Sequence, residues 1–302
     1  MKIQPPKIIE DALSPYSKDC FRREEYAQSL YNLFKNIEDN PVVCLDAPWG
    51  SGKTTFINMW ISDLKSKGIH CIYYDAYAND SSEDPFISFT SEILLFTKEH
   101  FEEEKSIVKS NIDFKKTAIL VGKSFLLAGA NVGIRALTAG VINKIDSELI
   151  DSVKESISDE TKDAFGKLIE QKLNSVKEER ETIEEFKSKL SLLGKSIREK
   201  QEFPLLIIID ELDRCKPDYA LRLLERIKHL FSVDNVSFLL SMNSKPLEEH
   251  VNIVYGKIDA HEYLHKFINV TTTFPKDYEQ HITYNYKNYY TGTSINYPLL
   301  TV

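Results

Sequence analysis

The chain has 302 residues and a formal net charge of −8, enough length for one sizeable α/β domain with an insertion. An acidic chain is poorly suited to sequence-independent DNA binding, so nucleic acid is not expected as a direct ligand. Its four cysteines (Cys20, Cys44, Cys71, Cys215) and seven histidines show no metal-ligand spacing, and the scattered thiols suit a reducing cytoplasm.

Residues 1–18 read as an irregular lead-in broken by Pro5, Pro6 and Pro15, without the apolar core of a signal peptide. Residues 23–37 predict an amphipathic helix with Tyr26, Leu30, Leu33, Phe34 and Ile37 at helical spacing. The apolar run 41–45 predicts a strand. It leads into Ala47-Pro48-Trp49-Gly50-Ser51-Gly52-Lys53-Thr54-Thr55, and Phe56 to Ile61 read as the first turns of a helix. Strand, glycine-containing loop and Lys-Thr opening a helix form a phosphate-binding arrangement. Glycines let successive backbone N–H groups converge on one phosphate, and the helix N-terminus adds partial positive charge. The reading assigns Trp49, Gly50, Ser51, Gly52, Lys53, Thr54 and Thr55 to the nucleotide. Lys53 would reach the β- and γ-phosphates and the Thr54 hydroxyl a Mg²⁺ ion. Ala47 stands where the first glycine is usual.

Gly68 predicts a helix stop and 69–74 a second strand. Asp75, at its end, either reaches the nucleotide or caps the turn, the cap being favoured. Residues 101–202 are too long for an ordinary connection and read as a helical insertion. Its charged second half has Ile183, Phe186 and Leu190 as a buried stripe, and predicts a protruding arm that packs back on the core or meets a partner. In the first half, Lys123 and Arg135 interrupt the apolar stretch 117–143. A span needs about 20 mainly apolar residues, and a central charge costs about 2.5–3.5 kcal/mol. A buried or oligomer-forming helix is therefore preferred there, with membrane association left open.

The β-branched run 205–209 predicts a strand buried on both faces, ending in Asp210-Glu211 where ligands bind in open α/β sheets. Asp210 is placed to support Mg²⁺ and Glu211 to polarise the attacking water. Arg214 either pairs with Asp213 or acts across a subunit boundary as an arginine finger. Leu221, Leu224, Ile227, Leu230 and Phe231 mark an apolar helical stripe. A third strand, 236–243, ends in Asn243, either a γ-phosphate sensor or a turn-forming residue. His250, His261 and His265 read as surface residues. The aromatic run Tyr284 to Tyr290 lies in a tail, 276–302.

Several of these segments, in this order, resemble the KAP family of bacterial P-loop NTPases. They are Asp19-Cys20-Phe21-Arg22-Arg23-Glu24, the loop at 47–54, Tyr73-Tyr74-Asp75-Ala76-Tyr77 followed by Asp84-Pro85-Phe86, and Asp210-Glu211-Leu212-Asp213-Arg214-Cys215-Lys216-Pro217 running on through Leu224 to Phe231. Tyr255-Gly256 and Tyr263 to Ile268 complete the set. Tyr77 stands where the family usually has Trp. The resemblance covers about 19–275 and implies a three-layer, mainly parallel sandwich of the additional-strand, catalytic-Glu type, with a helical insertion at 101–202. It also implies a switch hydrolysing ATP or GTP, which with the residues above reads as a Mg²⁺-dependent switch or motor, expected in the cytoplasm from its thiols. Some bacterial relatives are linked to phage exclusion or defence. Two rivals remain open at this point: a nucleotide-binding scaffold, with a protein partner or second copy on the insertion, and a membrane-associated signalling subunit.

Overall fold

The computed structural model describes residues 14–17, 19, 21–37, 40–82, 84–104, 107, 114–115 and 181–275. Its strands are β1 (Val42–Asp46), β2 (Ile72–Asp75), β3 (Leu205–Asp210), β4 (Val236–Met242) and β5 (Val270–Thr272). They form one parallel sheet in the order β2-β3-β4-β1-β5. The helices are α1 (Glu24–Asn36), α2 (Lys53–Ser66), α3 (Pro85–Phe101), α4 (181–201), α5 (Pro217–Ile227), α6 (Ser244–Tyr255) and α7 (Ala260–His265).

Strand alternation divides the core into two layers. Val42, Cys44, Ile207, Ile209, Phe238 and Leu240 face the layer built by α3, α4, α5 and α6. Val43, Leu45, Leu206, Ile208 and Leu239 face α1 and α2, where Phe34, Phe56 and Trp60 are buried. Helices thus cover both faces, which is why β3 is uninterrupted apolar sequence up to its terminal carboxylate. The outcome is an α/β three-layer arrangement with β4 lying between β1 and β3.

Local signals account for most boundaries. Asp84 accepts the N–H groups of Phe86 and Ile87 at 2.8 and 3.2 Å, and Pro85 occupies the first helical position of α3. At the end of α2, Ile69 N–H bonds the Leu64 carbonyl and Gly68 N–H that of Lys65, a Schellman closure with Gly68 at φ +74°. Helix α1 is one residue shorter at each end than expected. It buries Ala27, Leu30 and Phe34, while Ile37 has left the helix in extended conformation.

One expectation changes. Strand β2 begins at Ile72 rather than Ile69, because the Gln201 side chain occupies the backbone of His70: it accepts from His70 N–H at 3.0 Å and donates to His70 O at 3.3 Å. Within the described part of the insertion, α4 packs back on the core, one of the two placements expected for the arm. Phe186, Leu190, Leu193 and Ile197 are all buried in the core, and the Phe186 ring lies 5.2 Å from that of Phe86. The stretch 117–143, the tail 276–302 and the aromatic run 284–290 lie outside the described residues.

Candidate functional site

Parallel strands deliver their C-terminal ends to one edge of the sheet, and every chemically loaded residue anticipated there arrives at that edge. The ladder sets Asp46 opposite Met242, Ser241 opposite Asp210, and Asp210 opposite Asp75. The loop after β1 therefore stands beside the acidic turn after β3, one strand away.

The loop itself has the curled backbone that its glycines predict. Gly50 and Gly52 both lie at φ +80°, a conformation L side chains avoid, and Gly52 is the N-cap of α2. Ser51 N–H returns to the Pro48 carbonyl at 3.2 Å. Ala47 fits without a glycine: it is buried, and its N–H continues the β1–β4 ladder to the Met242 carbonyl at 3.1 Å. Lys53 is 8% exposed, and its Nζ donates to the carbonyls of Ala47 at 2.6 Å and Pro48 at 3.3 Å. Burial lowers its pKa, opposed by Asp213, Asp210 and Asp46. Thr54 is half-buried, and Thr55 lies exposed on the rim.

Asp210 is fully buried. Its Oδ1 accepts the Glu211 N–H at 2.9 Å and its Oδ2 the Tyr73 hydroxyl at 3.2 Å. Burial and the neighbouring Asp210 and Asp75 push the Tyr73 phenol far up, so it stays a donor. Glu211 departs from the strand in a left-handed conformation, φ +60°, which turns its side chain back toward the loop. Thr54 Oγ1 donates to Glu211 Oε1 at 3.4 Å, so the Thr54 hydroxyl meets Glu211 rather than Asp210. The same Oε1 is 2.6 Å from Arg214 Nη1. Desolvation raises the Glu211 pKa, Arg214 opposes it, and Asp210 and Asp75 add to it. Arg214 thus pairs with Glu211, not with Asp213 as the sequence had offered.

Asp213 has another partner. It is 2% exposed, and its Oδ2 accepts the indole N–H of Trp49, whose ring is otherwise largely exposed. His250, expected on the surface, is partly buried: desolvation lowers its pKa and Asp213 opposes that shift. Asp75 caps its own turn by accepting the Ala78 N–H at 2.8 Å. Asn243 precedes α6 in extended conformation without capping it. Asp46 supplies the cap instead, accepting Ser244 N–H at 2.8 Å and Ser244 Oγ at 2.7 Å. That leaves the Asn243 amide at the edge of the site, uncommitted to the helix.

A model of the KAP family P-loop domain matches residues 23–288. The chain belongs to the KAP family. Membership of this P-loop family supports nucleoside triphosphate hydrolysis as its general activity, and nucleotide with Mg²⁺ as its general ligands. No curated protein matches the chain. Among the described residues no helix is long and apolar enough to cross a membrane.

Sequence reasoning missed three members of the site. Tyr73 lay in a motif without a role, Asp213 was considered only as a partner for Arg214, and Asp46 follows a run read only for its burial. Each acts through a partner distant in sequence, so spacing along the chain carried no signal.

Proposed function

We propose that this KAP-family chain is a Mg²⁺-dependent triphosphatase, using ATP or GTP, that works as a cytoplasmic switch or motor. The single observation that carries the reading is the approach of Thr54 Oγ1 to Glu211 Oε1, 3.4 Å across 157 positions. It joins a phosphate-type loop to a carboxylate able to take a proton.

The residues present fit Mg²⁺. This ion favours one or two carboxylates, waters and substrate phosphates over an all-protein cage. A hydroxyl and a buried strand-end carboxylate are that kind of partial set, and among the described residues no cluster of three or more His, Cys, Asp or Glu forms a cage. Thr54 and Asp210 would hold the ion, which supplies charge neutralisation at the phosphate oxygens. The backbone N–H groups of 49–55 and Lys53 Nζ bind the phosphates, with Lys53 exchanging the Ala47 and Pro48 carbonyls for phosphate oxygens. Glu211 accepts a proton from the attacking water at its carboxylate, and its raised pKa suits that task. Asn243 orients the water and contacts the γ-phosphate. The β4 strand between β1 and β3 supports the additional-strand, catalytic-Glu assignment.

The Arg214 ion pair favours a second reading of the same site, in which Glu211 is restrained, basal turnover is low and nucleotide mainly organises a scaffold. A partner or second copy acting through 101–202 would then draw Arg214 away. The domain is taken as 19–275, and a part in phage defence is the biological setting the family suggests.

The deciding experiment measures binding and turnover of ATP and GTP by wild type, Lys53→Ala and Glu211→Gln. Wild type should hydrolyse, Lys53→Ala should lose binding, and Glu211→Gln should bind and stall. Turnover by Glu211→Gln at the wild-type rate would remove Glu211 from the chemistry. Binding without turnover by wild type would select the scaffold.

A further inference from the structure

Arg23 lies at the start of α1, 1% exposed, beneath the phosphate-type loop. Its Nη1 donates to the Gly52 carbonyl at 3.0 Å and its Nη2 to the Ser51 carbonyl at 2.5 Å. Two aromatic rings pack against the fork: the guanidinium carbon lies 3.7 Å from the centre of the Phe274 ring and 4.6 Å from that of Phe21. Asp19 fixes the backbone, accepting the N–H groups of both Phe21 and Arg23. The fit beneath the loop is close, since a Cβ on Gly52 would lie 3.2 Å from Arg23 Nη1.

We propose that Arg23 is a positioning residue that sets the loop for phosphate. A peptide's N–H and carbonyl point in opposite directions. Pinning two successive carbonyls, those of Ser51 and Gly52, to one planar fork beneath the loop therefore aims the N–H groups of Gly52 and Lys53 outward. Lysine cannot replace it, because an ammonium on a flexible stem does not hold two carbonyls in fixed relation. The charge also has a purpose: a buried cation behind the loop adds to the positive potential that a polyphosphate meets. The proposal rests on the reading of this loop as a triphosphate site.

The test compares wild type, Arg23→Lys and Arg23→Met by hydrogen exchange of the unliganded proteins and by calorimetric binding of MgATP and MgGTP, well below the melting temperature. Exchange of the 49–54 amides should rise about tenfold in Arg23→Lys while β3 and α5 stay as in wild type. Affinity for whichever triphosphate the wild type binds should fall about tenfold in Arg23→Lys, and further in Arg23→Met, in line with loss of charge-assisted bonds. Folded Arg23→Lys with loop exchange and affinity within about twofold of wild type would overturn the proposal. So would a uniform rise in exchange across the sheet, which marks a merely structural arginine. If Arg23→Met fails to fold, Arg23→Lys decides. A wild type that binds neither triphosphate would sink the nucleotide reading, while loop exchange would still report on the arginine.

Discussion

The Trp49 indole N–H is bonded to the Asp213 carboxylate, across 164 positions of sequence. One residue belongs to the loop after β1 and the other to the acidic turn after β3, so the bond couples the phosphate-type loop to the segment carrying Asp210 and Glu211. Among the described residues Asp213 Oδ1 has no hydrogen-bond partner, and the residue is almost wholly buried. Trp49→Phe keeps an aromatic ring on an exposed surface and removes the indole N–H that this carboxylate accepts. It should destabilise the fold by about 1–3 kcal/mol, the cost of leaving a buried polar group unsatisfied, measured by urea unfolding. Triphosphate affinity should fall with it. Unchanged stability and affinity would show that the bond couples nothing.

Arg214 should set the acid limb of the pH–rate profile. The base works only when deprotonated, so turnover falls as pH drops through the Glu211 pKa. Burial raises that pKa and Arg214 is the first influence opposing the rise. In Arg214→Ala the limb should move to higher pH, so that the rate at pH 6 falls relative to the rate at pH 8 more than in wild type. If the ion pair also restrains Glu211, the high-pH plateau should rise. A limb at the same pH in both proteins would separate Arg214 from the base.

Glu211 should also cost the fold stability at neutral pH. A carboxyl whose folded pKa is raised binds its proton more tightly folded than unfolded. Stability then falls as pH rises from the ordinary carboxylate range through the folded pKa. Glu211→Gln removes the titration and should melt higher than wild type at pH 7–8. The advantage should shrink as pH falls and vanish where both side chains are neutral. Thermal melts from pH 4 to 8, without nucleotide, test the sign, and a variant less stable than wild type at pH 8 would contradict it.

The parts of this fold legible in the sequence are those decided by local chemistry. Residues 205–209 read as a strand covered on both faces, and Gly50 and Gly52 as a curled loop; both are as read. The strand's C-terminal Asp210 followed from the α/β rule for ligand position. What escaped was pairing between distant segments. Arg214 pairs with Glu211, while Asp213 accepts from Trp49, a residue of the distant loop. Strand β2 lost its first residues to Gln201, a contact visible only once α4 lies beside the sheet. His250 left the surface because α6 packs toward the acidic turn.

Gly194 gives the same lesson in a form that a melt can test. The charged periodicity of α4 indicated the stripe Ile183, Phe186 and Leu190, but not how closely the helix approaches the sheet. A Cβ on Gly194 would lie 3.0 Å from the backbone oxygen of Asn235 and 3.1 Å from Val236 Cγ2. That oxygen cannot yield easily. It accepts the Leu205 N–H at 2.9 Å, at the point where β3 begins, and Asn235 itself sits at φ +65°. Gly194→Ala improves helix propensity by about 1 kcal/mol on an open helix. Here overpacking against backbone should outweigh that gain and leave a net loss of about 1–2 kcal/mol. The contact lies at the N-terminal end of β4, opposite the edge where the site is built, so triphosphate affinity should stay at the wild-type value. A variant that melts higher than wild type would mean that α4 stands off the sheet. One that loses affinity without losing stability would mean that α4 reports to the site.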